Sequence, residues 1–315
     1  MALLSPSWAG PGVFPQVHDL GLAGLGTHLH LEPVEYPSTR KIGATPQERA
    51  ADIHAAFADR RSRRASAAAT RPKCSAAWIP MSCKPIRRPS SATATTPTCS
   101  CTCGTSGSSA STGGSTMVHL VRPGHLHPVT LESVRSALFE PGEVQLSPAV
   151  EMTDESPSWA DPGGLDVEMA MRPGPGWTWA GDRRVVTGPN WGGCLEILDF
   201  HLRANRYLLA PRAYAGCVLL LQTSEEMPGA EYVYRMLMGM GERGMLEQFA
   251  AVVVATPKAW DPQVGQSLSR RAQFAADQRA SILRALDEYN PGVPTVFGLD
   301  FGHTDPQVVI PMAGR

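Results

Sequence analysis

Short apolar runs alternate with apolar stripes of helical spacing through residues 177–315. Cys217–Leu221, Ala250–Ala255 and Pro294–Leu299 are continuous apolar segments, the pattern of strands buried on both faces. Between them, Tyr232, Val233, Met236, Leu237 and Met240 share one side of a helix. Phe274, Ile282, Leu283 and Leu286 form the inward face of a polar helix expected over Arg270–Leu286. Gly192 and Gly193 precede a further helical pattern of Leu195, Ile197, Leu198 and Leu202. Strands alternating with helices predict an α/β unit.

The N-terminal part carries fewer signals. Thr45-Pro46-Gln47-Glu48 is a capping box with proline at the first helical position, and Ala50, Ala51, Ile53, His54, Ala56 and Phe57 continue it to about Ala58. Thr130 is expected to cap a helix holding Leu131, Val134, Leu138 and Phe139. Proline and glycine then become frequent from Pro141 to Gly176, which predicts a surface linker with an acidic turn at Asp154-Glu155. The expected organisation is an N-terminal domain over 1–139, a linker over 140–176 and a C-terminal domain over 177–315.

One stretch breaks the pattern. Residues 60–112 contain nine Lys and Arg, from Arg60 to Arg88, and no Asp or Glu. Trp78, Ile79, Met81 and Ile86 are their only large apolar side chains, and five of the seven cysteines fall there. Such a segment buries too little apolar surface to offset the entropy of ordering it, so its composition predicts disorder.

Composition as a whole excludes several classes. The chain has 315 residues, room for two domains, and 43 % of them are hydrophobic. A net charge of −1 gives no field favouring nucleic acid or an anionic membrane. No apolar stretch approaches the roughly 18 residues of a membrane span. The opening Met-Ala-Leu-Leu-Ser-Pro-Ser-Trp has no basic region, so no secretory signal and a cytoplasmic location are expected.

Several residues are candidates for chemistry. Cys99, Cys101 and Cys103 invite a metal reading, but one-residue spacing suits structural zinc poorly, and no metal is expected. Trp177 and Trp179 are candidates to stack on a substrate base or peptide, or to pack as core or interface. Glu196 is a candidate for a substrate amine or for capping its own helix. Ser5 and Ser7 read as turn serines. His303 lies just past the last strand, a position that suits either a catalytic base or a structural turn.

Leu3-Leu4-Ser5-Pro6-Ser7, Gly192-Gly193-Cys194-Leu195, Leu219-Leu220-Leu221-Gln222-Thr223-Ser224-Glu225-Glu226 and Gly298-Leu299-Asp300-Phe301-Gly302-His303 carry a resemblance. The chain resembles the LD-carboxypeptidases, within them the branch of the microcin C immunity peptidases, over residues 1–59 and 113–315. The resemblance implies an α/β protein of two domains. The N-terminal parallel-sheet α/β domain, disrupted over 60–112, would bear the nucleophile. The C-terminal α/β domain would bear the histidine and the acid. It implies a Ser-Glu-His triad between the domains, no cofactor and a small peptide or peptidyl-nucleotide substrate. No nucleic-acid or membrane partner is expected from the charge and hydropathy, and a second copy of the chain is a candidate partner. Gly192, Gly193, Glu196, Trp177 and Trp179 are its candidate substrate-binding positions.

The family's nucleophile sits in Gly-Tyr-Ser-Asp, a sharp turn that exposes the serine and aims backbone N–H groups at the oxyanion. That motif is absent, and its place falls inside the anomalous stretch. Pro-Phe-Phe-Gly-Tyr-Ser-Asp-Asn-Thr-Asn written in codons ending in C, with the first base dropped, translates to Pro-Ser-Ser-Ala-Thr-Ala-Thr-Thr-Pro-Thr. Residues Pro89 to Thr98 match it throughout. The stretch therefore reads as the catalytic segment out of frame, restored near Gly113-Gly114, with the serine lost across Ala94.

By the same resemblance His303 is the base and the acid maps onto Gln222, which carries no charge. In a serine-protease triad the acid-to-amide change lowers kcat about 10⁴-fold. Glu225 or Glu226 is an alternative acid if the loop turns one inward. Otherwise both are expected to cap the next helix. The implied activity is hydrolysis of an amide near a free C-terminus, impaired in this chain. A non-catalytic binding module and a non-functional frameshifted product are the alternatives.

Overall fold

The computed structural model describes residues 1–6, 8–59, 110–122, 126–140, 142–156 and 158–312. The protein is a two-domain α/β chain. One unit comprises Met1–Leu146, Pro157–Met169 and Gln307–Pro311. The other comprises Ser147–Ser156, Ala170–Pro306 and Met312–Arg315. Ala94 and the rest of 60–109 lie outside the described residues.

In the first unit, strand β1 (Ala2–Leu3) pairs in parallel with β2 (Val34–Glu35), and helix α1 (Pro15–Leu29) connects them. Leu3, Leu25, Leu29, Leu31, Leu120, Leu126 and Val134 form the core. Helix α2 (Pro46–Ala58) starts as its capping box dictates: Thr45 Oγ1 accepts from the Glu48 N–H at 3.2 Å, and Glu48 Oε2 accepts from the Thr45 N–H at 2.7 Å. The expectation of disorder ran to residue 112, but Ala110–Thr112 form strand β3, paired with Ile310–Met312. Helix α3 (Pro128–Phe139) begins two residues before the position expected for its cap. His127 Nδ1 caps it by accepting from the Val129 N–H at 3.2 Å. Thr130 is buried, and its hydroxyl oxygen instead accepts from the Gln307 N–H at 2.9 Å.

The second unit holds a five-stranded sheet. Two short strands precede it, β4 (Glu151–Met152) and β5 (Arg172–Pro173), paired antiparallel within the stretch read as a linker. The sheet contains β6 (Thr178–Ala180), β7 (Asn190–Cys194), β8 (Val218–Gln222), β9 (Ala251–Ala255) and β10 (Thr295–Leu299), in the order β6-β10-β9-β8-β7. Neighbours from β10 to β7 run parallel, and β6 joins the edge antiparallel. Helices α4 (Leu195–Ala204), α5 (Ala230–Gly241) and α6 (Leu268–Tyr289) supply the connections.

The apolar runs are strands because the sheet interior is dry: Leu219, Leu220, Leu221 and Val252 are all buried. Gly192, read as preceding a helix, lies inside β7 at φ +129°. A Cβ there would sit 2.2 Å from the Leu220 carbonyl oxygen, so only glycine lets β7 and β8 approach. Among the described residues, no helix is long and apolar enough to cross a membrane.

Candidate functional site

Parallel pairing puts the C-terminal ends of β8, β9 and β10 at one edge of the sheet, where α/β proteins place their ligands. Two loops leave that edge, Thr223–Glu226 after β8 and Asp300–His303 after β10. They bring together His303 and Glu225: His303 Nε2 lies 3.1 Å from Glu225 Oε2. The histidine side chain is 9 % exposed, so the pair is partly shielded from water. The hydrogen bond from His303 holds the Glu225 carboxyl below the ordinary glutamate range against the opposing effect of burial. A carboxylate on Nε2 fixes that nitrogen as the protonated one and leaves the lone pair on Nδ1.

The loop carrying Glu225 is fastened from a distance. Glu196, in the first turn of α4, is 5 % exposed. Its Oε1 accepts from the Ser224 N–H at 2.8 Å and the Ser224 hydroxyl at 2.7 Å, and its Oε2 accepts from the Cys194 thiol at 3.2 Å. The Ser224 oxygen in turn accepts from the Glu226 N–H at 3.1 Å. Glu196 thus neither caps its own helix by side chain nor stands open, but ties two segments together. Glu225 and Glu226 do not cap the next helix either, because α5 begins at Ala230 with Gly229 as its cap residue.

Gln222 ends β8 and packs against the second loop. Gly302 has φ +96°, and a Cβ there would lie 2.5 Å from Gln222 Oε1. That oxygen is buried and accepts no hydrogen bond among the described residues. The ionised partner of the histidine is therefore Glu225, three positions beyond the residue to which the acid role maps.

A buried ionic cluster supports the same edge. The Asp154 side chain is fully buried, with Arg172 and Arg271 each at 3.0 Å. Burial disfavours its carboxylate, but Arg172 and Arg271 outweigh it and hold the pKa below the ordinary value. Lys258 Nζ donates to the Asp154 carbonyl at 2.5 Å and to Ser156 Oγ at 3.2 Å. Burial lowers the Lys258 pKa, opposed by the charges of Asp154 and Glu225. Asp154 was expected in an exposed acidic turn, and sequence gave no signal of its partners, which are up to 117 positions away.

Other candidates separate. Trp179 lies on edge strand β6 and is 66 % exposed, whereas Trp177 is half-buried, its indole N–H without a partner among the described residues. Gly193 is buried within β7. Among the described residues, no group of three or more His, Cys, Asp or Glu could hold a metal ion. The position mapped to the nucleophile, Ala94, lies outside the described residues.

Comparison with known proteins gives a family match over the C-terminal residues and a likeness of fold. The family model of the LD-carboxypeptidase C-terminal domain matches residues 187–315. No curated protein matches the chain in sequence. The fold is that of an MccF-like protein from Streptococcus pneumoniae solved with AMP, at a TM-score of 0.75 and 18 % identity, covering 99 % of this chain and 93 % of that one. It is also that of an MccF-like protein from Bacillus anthracis str. Ames, at 0.72 and 14 %, covering 99 % and 91 %. A third is the protein MccF in complex with glutamyl sulfamoyl guanosine, at 0.70 and 15 %, covering 99 % and 90 %.

Proposed function

We propose that this chain, which belongs to the LD-carboxypeptidase family through residues 187–315, is a hydrolase scaffold for the amide next to a free C-terminus, in a murein-type peptide or a peptidyl-nucleotide conjugate. The observation that carries this reading is the 3.1 Å contact of His303 Nε2 with Glu225 Oε2 at the sheet edge. A histidine oriented by a carboxylate accepts a proton from an attacking group and returns it to the leaving amine. Glu225 takes the orienting role that Gln222, being uncharged, cannot fill. The ligands of the similar structures, AMP and glutamyl sulfamoyl guanosine, support the peptidyl-nucleotide alternative.

The reading includes impairment. The position that maps to the attacking serine is Ala94, which offers a methyl group and no hydroxyl. Losing a nucleophile of this kind costs a serine hydrolase roughly 10⁶-fold in kcat. The test is hydrolysis of a murein tetrapeptide and of a peptidyl-nucleotide conjugate by the purified chain. Expected is turnover far below the ordinary enzyme range of about 1–10³ s⁻¹, with the remainder lost in His303→Ala. Turnover within that range would overturn the impairment, and residual turnover indifferent to His303→Ala would overturn the role of the pair.

A further inference from the structure

A cavity of about 330 Å³ lies within the second unit, between the sheet and α6. Its floor is one row of the sheet: Leu221, Val254 and Phe297, which are register partners across β8, β9 and β10. On α6 it is bordered by Ala272, Ala275 and Ala276, whose short side chains leave the space unfilled; Ala272 and Ala276 are exposed, so the cavity opens to solvent on this side.

The walls are not purely apolar. Gln222 Oε1, Thr223 Oγ1 and Thr256 Oγ1 belong to lining residues, are buried, and have no hydrogen-bond partner among the described residues. Thr223 is only 7 % exposed. Buried polar atoms are normally satisfied, so three in residues that line one cavity are the observation that points to a polar ligand. Arg279 adds a charge. Its guanidinium lies 4.2 Å from the Phe297 ring centre and donates to Thr178 Oγ1, and it has no carboxylate partner among the described residues. The other two lining arginines, Arg172 and Arg271, are committed to Asp154 and Glu155.

We propose that this cavity binds the C-terminal residue of a peptide that ends in a bulky apolar side chain and a free carboxylate. The carboxylate faces Arg279, an amide N–H meets Gln222 Oε1, and the side chain lies over Leu221, Val254 and Phe297. Size agrees: a dry cavity of about 150 Å³ holds benzene, so this one takes on the order of a dozen heavy atoms, the size of an N-acetylated leucine or phenylalanine. Gln222 and Thr223 lead into the loop of Glu225, but neither Glu225 nor His303 lines the cavity. As a substrate pocket the proposal rests on the hydrolase reading; as a binding site it stands without it.

Calorimetric titration of the full chain with N-acetyl-L-phenylalanine, N-acetylglycine and N-acetyl-L-phenylalaninamide tests it. N-acetyl-L-phenylalanine binds roughly tenfold or more tighter than the other two, which lack the apolar body or the carboxylate. Ala275→Leu, which fills the space, and Arg279→Gln, which removes a half-buried charge, each weaken it roughly tenfold. Equal affinity for the three ligands, or indifference to both cavity variants, overturns the proposal even if hydrolysis is observed. Selective binding without any hydrolysis upholds the cavity and counts against the hydrolase reading alone.

Discussion

Glu196 Oε1 accepts both the N–H and the hydroxyl of Ser224, at 2.8 and 2.7 Å, and so anchors to α4 the loop that sets Glu225 against His303. Glu196→Ala leaves two buried donors unmet and is expected to cost about 2–4 kcal/mol. Glu196→Gln keeps an acceptor oxygen and is expected to cost clearly less. Urea unfolding of the two variants checks the order; equal losses would show that the acceptor is not what Ser224 requires.

The contribution of Glu225 depends on pH. Its native pKa lies below the ordinary 4.5 because His303 stabilises the carboxylate. The native state therefore binds fewer protons than the unfolded chain in that window. The stabilisation is complete above 4.5 and is lost as the pH falls through the native value. The pair is partly exposed, so its size is about 1 kcal/mol or less. Glu225→Gln is expected to be less stable than the parent near neutrality and to converge with it in acid. A constant difference down to strongly acidic pH would contradict this.

His201 acts at a higher pH. It is 3 % exposed, and burial pushes its pKa down from 6.5 to about 4. The unfolded chain takes up a proton between those values while the native protein does not, so stability falls as the pH drops from 6.5 towards 4. The full effect is about 3 kcal/mol. His201→Leu is expected to flatten that limb of the stability profile, measured by thermal unfolding from pH 4 to 7; an unchanged limb would exclude His201 as its source.

Asp154→Asn leaves Arg271, 9 % exposed, beside a neutral group. Removing one partner of a buried pair costs about 3–5 kcal/mol. Because Glu155 retains Arg271 at 2.8 Å, the lower end is expected. Chemical denaturation measures it, and a loss below about 1 kcal/mol would mean that the cluster is held by its other contacts.

The gene itself carries one expectation. Codons 58–115 should contain small compensating insertions or deletions at the edges of the anomalous stretch, relative to a gene encoding Gly-Tyr-Ser-Asp. Resequencing that region decides it, and an uninterrupted frame shared with such a gene would end the frameshift reading.

The second unit was largely legible because its signals are local. The apolar runs at Val218–Gln222, Ala251–Ala255 and Thr295–Leu299 and the stripe of α5 each lie within one element. Helix α1 went unread, since Gly21, Gly24 and Gly26 depress its intrinsic propensity. Strand β7 was hidden by its two glycines, which look like a turn until the Leu220 backbone is beside them. The place of His303 just past a strand was legible. Glu225 stood beside Glu226 as an alternative acid, and which of the two turns inward to His303 was not legible, because that depends on a loop conformation tied to Glu196, 28 positions before Ser224. Asp154 was misplaced for the same reason: its partners are distant in sequence and near only in the fold.

The most direct test of the His303–Glu225 pair is the imidazole tautomer of His303, read from two-bond ¹⁵N–¹H correlations of the neutral ring. The proton is predicted on Nε2 in the parent protein and in Gln222→Ala, with that preference lost in Glu225→Gln. A ring protonated on Nδ1 in the parent, or one whose tautomer ignores Glu225→Gln and responds to Gln222→Ala, would contradict it.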